Sequence, residues 1–101
     1  MEVHWRNSAV QSLIELDNWR LTIDLPKIGK LLQKIINSYF NEQDFSFYIP
    51  GKIVFIDGLP VELRIVLLSV GKSDPYRVFY RLRSGNVEIY FVKHPRQKPL
   101  T

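Results

Sequence analysis

The hydrophobic pattern of this chain changes period once, and that change limits the folds open to it. Between residues 8 and 40, apolar side chains lie at the three- and four-residue spacing of amphipathic helices; from 44 to 93 they alternate or run continuously, as in strands. A short alternating segment, 2–6, precedes the helical part. The order predicts an α+β domain: an N-terminal strand, an antiparallel helical hairpin, and a twisted antiparallel sheet meander.

The helical part divides into two predicted helices. Ser8 and Gln11 fit a capping box, in which their side chains satisfy free backbone N–H groups at the start of the first helix. Asp24 can cap the second helix, and Pro26 is tolerated in its first turn. The residues expected to be buried have helical spacing: Val10, Leu13, Ile14 and Leu21 in the first helix, and Leu25, Ile28, Leu32, Ile35, Ile36 and Tyr39 in the second.

The second half of the chain predicts strands separated by turns rich in glycine, proline and small polar residues. Residues 45–56, which Pro50 and Gly51 interrupt, are expected to form an extra hairpin. The long apolar run 61–69 is typical of a strand that is covered on both faces or lies inside a sheet. The remaining strands are expected at 76–83 and 87–93.

Size and composition exclude several classes of protein. A chain of 101 residues and 11.9 kDa predicts one domain, 1–101. It has no cysteine, which excludes disulfides, thiolate chemistry, zinc ribbons and iron–sulfur clusters. No nucleotide-binding glycine motif or metal-binding cluster is recognisable, so we expect neither cofactor nor metal. Without a membrane-length apolar run or a signal-peptide pattern, the expectation is a cytoplasmic protein with no membrane contact.

The net charge of +4 is unevenly distributed along the chain. Residues 1–50 carry five bases and six acids, giving −1, whereas residues 51–101 carry nine bases and four acids, giving +5. Such asymmetry indicates an anionic partner for one face, and nucleic acid is the common case.

Strand alternation places much of this charge on one face. In 76–83, one face carries Arg77, Phe79, Arg81 and Arg83. The expected neighbours of these residues are Lys93, His94, Arg96 and Lys98. Arginine binds phosphate through two parallel hydrogen bonds, and aromatic rings can stack on unpaired bases. The alternative is that exposed arginines protect an edge strand from pairing with other chains.

Three segments of the chain resemble the RelE/ParE toxin superfamily. The family pattern begins with a glycine–proline turn followed by leucine and arginine, which matches Gly58-Leu59-Pro60-Val61-Glu62-Leu63-Arg64. It continues with a tyrosine–arginine strand, which matches Pro75-Tyr76-Arg77-Val78-Phe79-Tyr80-Arg81. It ends with an apolar strand that leads into histidine and arginine, which matches Val87-Glu88-Ile89-Tyr90-Phe91-Val92-Lys93-His94-Pro95-Arg96. The order of the elements also matches, so the resemblance covers nearly the whole chain. It implies the toxin of a type II toxin–antitoxin pair, with a cognate antitoxin protein as partner.

The RelE-like branch binds the ribosome and cuts mRNA, and the resemblance implies roles for individual residues. Arg77 matches a catalytic arginine, Arg64 a basic position on the preceding strand, and His94 and Arg96 the end of the last strand. In this chemistry a 2′-hydroxyl attacks the adjacent phosphate while arginines neutralise charge in the transition state. Glu62 and His94 are the candidates for base and acid. The further RNA-binding candidates are Arg81, Arg83, Lys93 and Lys98.

Two other functions remain open. RNA-cutting relatives often carry a tyrosine or a histidine–tyrosine pair in the tail, whereas the tail here, 95–101, has neither. The ParE-like branch inhibits DNA gyrase, which needs a docking surface and no acid or base. The third possibility is a catalytically inert relative that binds only its antitoxin or nucleic acid.

Overall fold

The computed structural model of the chain describes residues 2–72 and 74–97. Its elements are β1 (Val3–Trp5), α1 (Asn7–Thr22), α2 (Gly29–Asn41), β2 (Lys52–Phe55), β3 (Glu62–Leu68), β4 (Tyr76–Arg83) and β5 (Asn86–Lys93). The strands form one sheet in the order β1-β5-β4-β3-β2. The predicted α+β class is confirmed.

The predicted antiparallel meander is present in β2 to β5, and the N-terminal strand β1 makes the sheet mixed. Val3 lies opposite Val87 and Trp5 opposite Ile89 in parallel pairing, whereas all other neighbouring strands in the described sheet are antiparallel. Parallel strands need a long crossover connection. The chain between β1 and β5 provides it, since this connection contains both helices and strands β2, β3 and β4.

The extra hairpin predicted for 45–56 is also wrong. Among the described residues of this segment, only Lys52–Phe55 form a strand, and it pairs with β3. Side chains satisfy the carbonyls before it: Tyr80 Oη donates to the Pro50 carbonyl, and Arg64 Nη1 to those of Ile49 and Gly51, at 3.4 and 3.3 Å. The alternating aromatic residues of this segment therefore do not form the buried face of a strand.

Helix α1 lies against the part of β5 that extends beyond its pairing with β1. Ser8 Oγ donates to the carbonyl of Tyr90 at 2.7 Å, and the backbone N–H of Val92 donates to Ser12 Oγ at 2.9 Å. These two hydroxyls, one helical turn apart, satisfy backbone groups that a longer β1 would otherwise pair with. The capping box predicted at Ser8 is absent, since Arg6 is the N-cap residue and no side chain caps the helix.

The buried face of α1 is rotated away from the predicted one. Its buried residues are Ala9, Ser12, Leu13 and Leu16. Of the predicted stripe, only Leu13 is buried, and the exposed members are Val10, Ile14 and Leu21. The serine contacts with β5 explain the difference, because they turn a face containing Ser8 and Ser12 inward.

The two helices form an antiparallel hairpin, as predicted. Asp17 of α1 accepts a hydrogen bond from the backbone N–H of Ile28 at 2.7 Å, and so caps α2 in place of Asp24. At the other end, Trp5 Nε1 donates to Asn37 Oδ1 at 2.8 Å. The end of α1 therefore lies beside the start of α2, and the start of α1 lies beside the second half of α2.

Apolar residues are buried on both faces of the sheet. The helices cover one face, where the largest fully buried side chains are Leu16, Leu32, Ile36, Phe40, Tyr76, Val78, Tyr80, Val87, Ile89 and Val92. On the opposite face, called the open face below, a smaller cluster of Leu63, Phe79 and Tyr90 is covered by Ile56, Leu59 and Val61. Within the described ranges, neither helix is long and apolar enough to cross a membrane.

The contact between α1 and β5 is testable with Ser12→Ala. This change removes the hydrogen-bond acceptor for the buried Val92 N–H and should lower the free energy of unfolding by about 1–3 kcal/mol. Ser38→Ala on the exposed face of α2 is the matched control, with an expected change within about 0.5 kcal/mol. Urea denaturation monitored by circular dichroism measures both. Equal stabilities of the two variants would contradict the role of Ser12 as the hydrogen-bond acceptor for the β5 backbone.

Candidate nucleic-acid interface

Strand β4 separates its side chains between the two faces. Tyr76, Val78 and Tyr80 are fully buried against the helices. The alternating set on the open face consists of Arg77, Phe79, Arg81 and Arg83. Strand alternation thus places three arginines on the face without helices, on either side of the buried Phe79 ring.

A bulge in β5 concentrates aromatic rings on that face. Phe79 lies opposite Phe91, but Tyr80 lies opposite Ile89, so Tyr90 is an additional residue in β5. The Phe79 and Phe91 rings meet edge to face with centroids 6.0 Å apart, and Tyr90 packs in the same cluster. The open face therefore presents an aromatic centre next to its cations.

One cleft on the open face, the Arg77 cleft, contains an exposed cation. It has a volume of about 220 Å³, and its walls include Ile65, Phe79, Arg77, Lys93 and His94. Arg77 lies opposite Lys93 across the β4–β5 ladder, and none of the described acidic residues forms an ion pair with it. Lys93 Nζ contacts Glu15 at 3.5 Å. The cleft combines a free guanidinium with apolar walls, which suits a phosphate attached to a base.

His94 forms a wall of this cleft and is nearly buried. Its ring packs against Trp19 and Tyr76, with centroid distances of 5.0 and 5.2 Å. Nδ1 accepts a hydrogen bond from the backbone N–H of Arg96 at 3.1 Å, and the His94 N–H donates to Gln97 Oε1 at 2.8 Å. This network leaves Nε2 to carry the proton of the neutral ring.

Burial lowers the pKa of His94 below its ordinary value of 6.5. Asp74 acts in the opposite direction, while the charges of Arg96 and Arg20 lower this pKa further. The imidazole is therefore neutral at physiological pH, and its Nδ1 lone pair is already in use. Its remaining hydrogen-bonding group is the Nε2–H, a donor.

The predicted catalytic residues do not form one group. Arg64 lies opposite Tyr80 on the side of the helices, where it holds the 49–51 segment, so it is on the other face from Arg77. Arg77 lies opposite Leu67 of β3, and Glu62 lies five residues before Leu67 on the same strand. Five residues of a strand span about 17 Å, so Glu62 is far from Arg77. Glu62, Arg64 and Arg81 instead share a separate cleft of about 420 Å³.

The predicted RNA-binding residues are also dispersed. Arg81 pairs with Glu88 at 3.3 Å, so the carboxylate partly neutralises its charge. Arg83 is exposed at the end of β4, outside the Arg77 cleft. Lys93 lies beside Arg77, whereas Lys98 lies outside the described residues.

Arg96 belongs to a third cleft that the sequence did not reveal. This cleft, called the Arg20 cleft below, has a volume of about 230 Å³ and is lined by Trp19, Arg20, Ile23, Leu25, Lys72, Asp74, His94 and Arg96. Arg20 comes from α1 and Lys72 from the loop before β4. No sequence motif links these two positions, because only the packing of α1 beside the β3–β4 loop brings them together.

Comparisons of the chain with protein-family models, curated proteins and solved structures find no match. Within residues 2–72 and 74–97, no group of three or more histidine, aspartate or glutamate side chains could hold a metal ion.

The buried His94 should make stability depend on pH. Because its pKa is lowered in the folded state, the unfolded chain binds the proton more readily, and stability falls as the pH drops through about 6.5. Between about pH 7.5 and pH 5.5, wild type should lose more unfolding free energy than His94→Phe. His4→Phe, at the other and half-exposed histidine, should retain the wild-type loss. Urea titrations at both pH values test this, and parallel profiles of wild type and His94→Phe would contradict it.

Proposed function

We propose that this chain is a type II toxin that binds single-stranded mRNA at the Arg77 cleft and promotes its cleavage, as RelE-like proteins do. The observation that carries the proposal is the exposed Arg77, which pairs with none of the described acidic residues and lies beside Lys93, the Phe79 ring and the neutral His94. A phosphate at Arg77 would meet the guanidinium and, beside it, Lys93, whose charge Glu15 partly neutralises, and an unstacked base would meet the apolar wall.

The spacing of the tyrosine–arginine motif supports this assignment physically. The Tyr76 hydroxyl accepts a hydrogen bond from Arg20 Nη1 at 2.7 Å, and the Tyr80 hydroxyl donates to Pro50. Burial raises the pKa of Tyr80, which keeps this hydroxyl protonated as a donor. Both tyrosines anchor β4 on the side of the helices, and Arg77 must then project from the open face.

The arrangement of elements is compatible with the same family. The N-terminal strand, helical hairpin and following sheet lie in the family's order, and β1 lies beside the last strand rather than the next one. Strand β2 extends the sheet at the opposite edge. These features support a RelE/ParE-like domain that carries one additional edge strand.

In the proposed reaction, the chain contributes charge more than proton transfer. Attack of a 2′-hydroxyl on the adjacent phosphate would form a 2′,3′-cyclic phosphate and break the bond from phosphorus to the 5′-oxygen of the next nucleotide. Negative charge builds on the phosphoryl oxygens in this step, and Arg77 and Lys93 would stabilise it. His94 lines the same cleft, and the Nε2–H is the hydrogen-bond donor that its neutral ring would offer to one of these oxygens. Glu62 is too far along β3 to remove the hydroxyl proton. The chain therefore orients and neutralises the phosphate, and proton transfer would need water or the ribosome.

The separation of Glu62 and Arg64 from Arg77 favours one alternative. A ParE-like gyrase inhibitor needs a docking surface, and such a protein would not require an acid and a base in one cleft. In that case the open face would be a protein-binding surface. Growth arrest with intact mRNA, together with loss of DNA supercoiling activity by purified gyrase, would identify this function.

The mRNA-binding proposal is tested by Arg77→Ala. Loss of a preorganised cation in the transition state should reduce mRNA cleavage about 10²–10³-fold and abolish growth arrest. The matched control is Arg83→Ala, which removes an exposed arginine from the same strand and face but outside the cleft. The measurements are growth after induction and mapping of mRNA 5′ ends.

Both variants should retain the wild-type circular dichroism spectrum and melting temperature, because both side chains are exposed. If folded Arg77→Ala still arrests growth and cuts mRNA as wild type does, the Arg77 cleft is not the site. If wild type arrests growth and leaves mRNA intact, cleavage is not the function.

A further inference from the structure

The Arg20 cleft and the Arg77 cleft share the ring of His94 as a common wall. In the Arg20 cleft, three cationic side chains, Arg20, Lys72 and Arg96, face a single described carboxylate, Asp74. The geometry points to a second phosphate site in this cleft, where the chain binds a neighbouring phosphate of the same RNA strand. This inference rests on the proposed function, since it assumes RNA at Arg77.

Arg20 is held in place before any ligand arrives. Its Nε donates to the Pro26 carbonyl and its Nη1 to the Tyr76 hydroxyl, both at 2.7 Å. These bonds use two of the five guanidinium N–H groups. An immobilised guanidinium loses little conformational entropy when it binds phosphate, which is the advantage of a preorganised site.

The other two cations can move to meet an anion. Arg96 Nε lies 3.6 Å from Asp74, but both side chains are mostly exposed, and exposed pairs contribute little stability. None of the described acidic residues pairs with Lys72. A phosphate could therefore replace Asp74 as the partner of Arg96 and recruit Lys72 without breaking a buried contact.

Chain continuity connects the two sites. Lys93 lies in the Arg77 cleft, His94 lines both clefts, and Arg96 lies in the Arg20 cleft. An extended RNA strand that crosses residues 93–96 would thus meet cations before and after the His94 ring. Beyond it, the partly exposed Ile23 and Leu25 offer an apolar wall for a ribose or base.

The test uses the double variant Lys72→Ala/Arg96→Ala and leaves Arg20 intact, because Arg20 also supports Tyr76. The probe is a fluorescein-labelled eight-residue oligouridylate, and anisotropy gives its affinity over a series of KCl concentrations. Loss of one phosphate contact should weaken binding several-fold and reduce the slope of log K against log salt by about 0.7. The matched control is Lys34→Ala on α2, outside both clefts, and it should bind within about twofold of wild type.

The outcomes separate the inference from the function that underlies it. If Arg77→Ala weakens binding while the double variant matches wild type in affinity and salt slope, the second phosphate site is wrong and the Arg77 site stands. If wild type does not bind the oligouridylate, both are wrong. If inorganic phosphate alone shifts the Trp19 indole N–H resonance, yet the double variant retains the wild-type salt slope, the cleft binds a small free anion and the strand-binding inference is overturned.

Discussion

The outer edge of β5 is the constraint on which the rest of this structure depends. β1 pairs with only the first part of β5, from Val87 to Ile89. Beyond that point, Ser8 and Ser12 of α1 bond the backbone of Tyr90 and Val92. A helix thus completes a sheet edge that would otherwise leave buried polar groups unsatisfied. Since β5 leads directly into His94, the same contacts set the position of both candidate clefts relative to α1.

Regular alternation made β4 predictable from its sequence. Arg77, Phe79, Arg81 and Arg83 lie on one face, and Tyr76, Val78 and Tyr80 lie on the other, as period two requires. Strand β3 offers no such guide, because apolar residues occupy both of its faces: Leu63 lies in the open-face cluster and Val66 in the helix-face core. Its register with β4 decides which way Arg64 points. Register depends on pairing across the whole hairpin, so the face of Arg64 could not be predicted from neighbouring residues.

Helix α1 illustrates a different limit of sequence patterns. A hydrophobic stripe normally predicts the buried face, yet Val10 and Ile14 are exposed while Ser12 is buried. Ser12 Oγ accepts from Val92 and donates to the Ala9 carbonyl, so its burial satisfies both partners. Hydrogen bonds to a distant strand thus outweigh a modest difference in apolar area. Such long-range partners leave no periodic signal, and the same holds for Asp17, which caps α2 from another helix.

The distribution of charge around His94 bears on what a cleft of this kind can do. A histidine that serves as a general acid needs a pKa near the working pH. Burial between Trp19 and Tyr76, with Arg20 and Arg96 nearby, keeps the His94 imidazole neutral instead. Arg20 and Arg96 lower the pKa of His94 and are also the cations that would attract a phosphate, so they disfavour protonation of the ring while no anion is bound. A bound anion would offset this cationic charge and raise the pKa of His94, so the ring would be easier to protonate with an anion in either cleft.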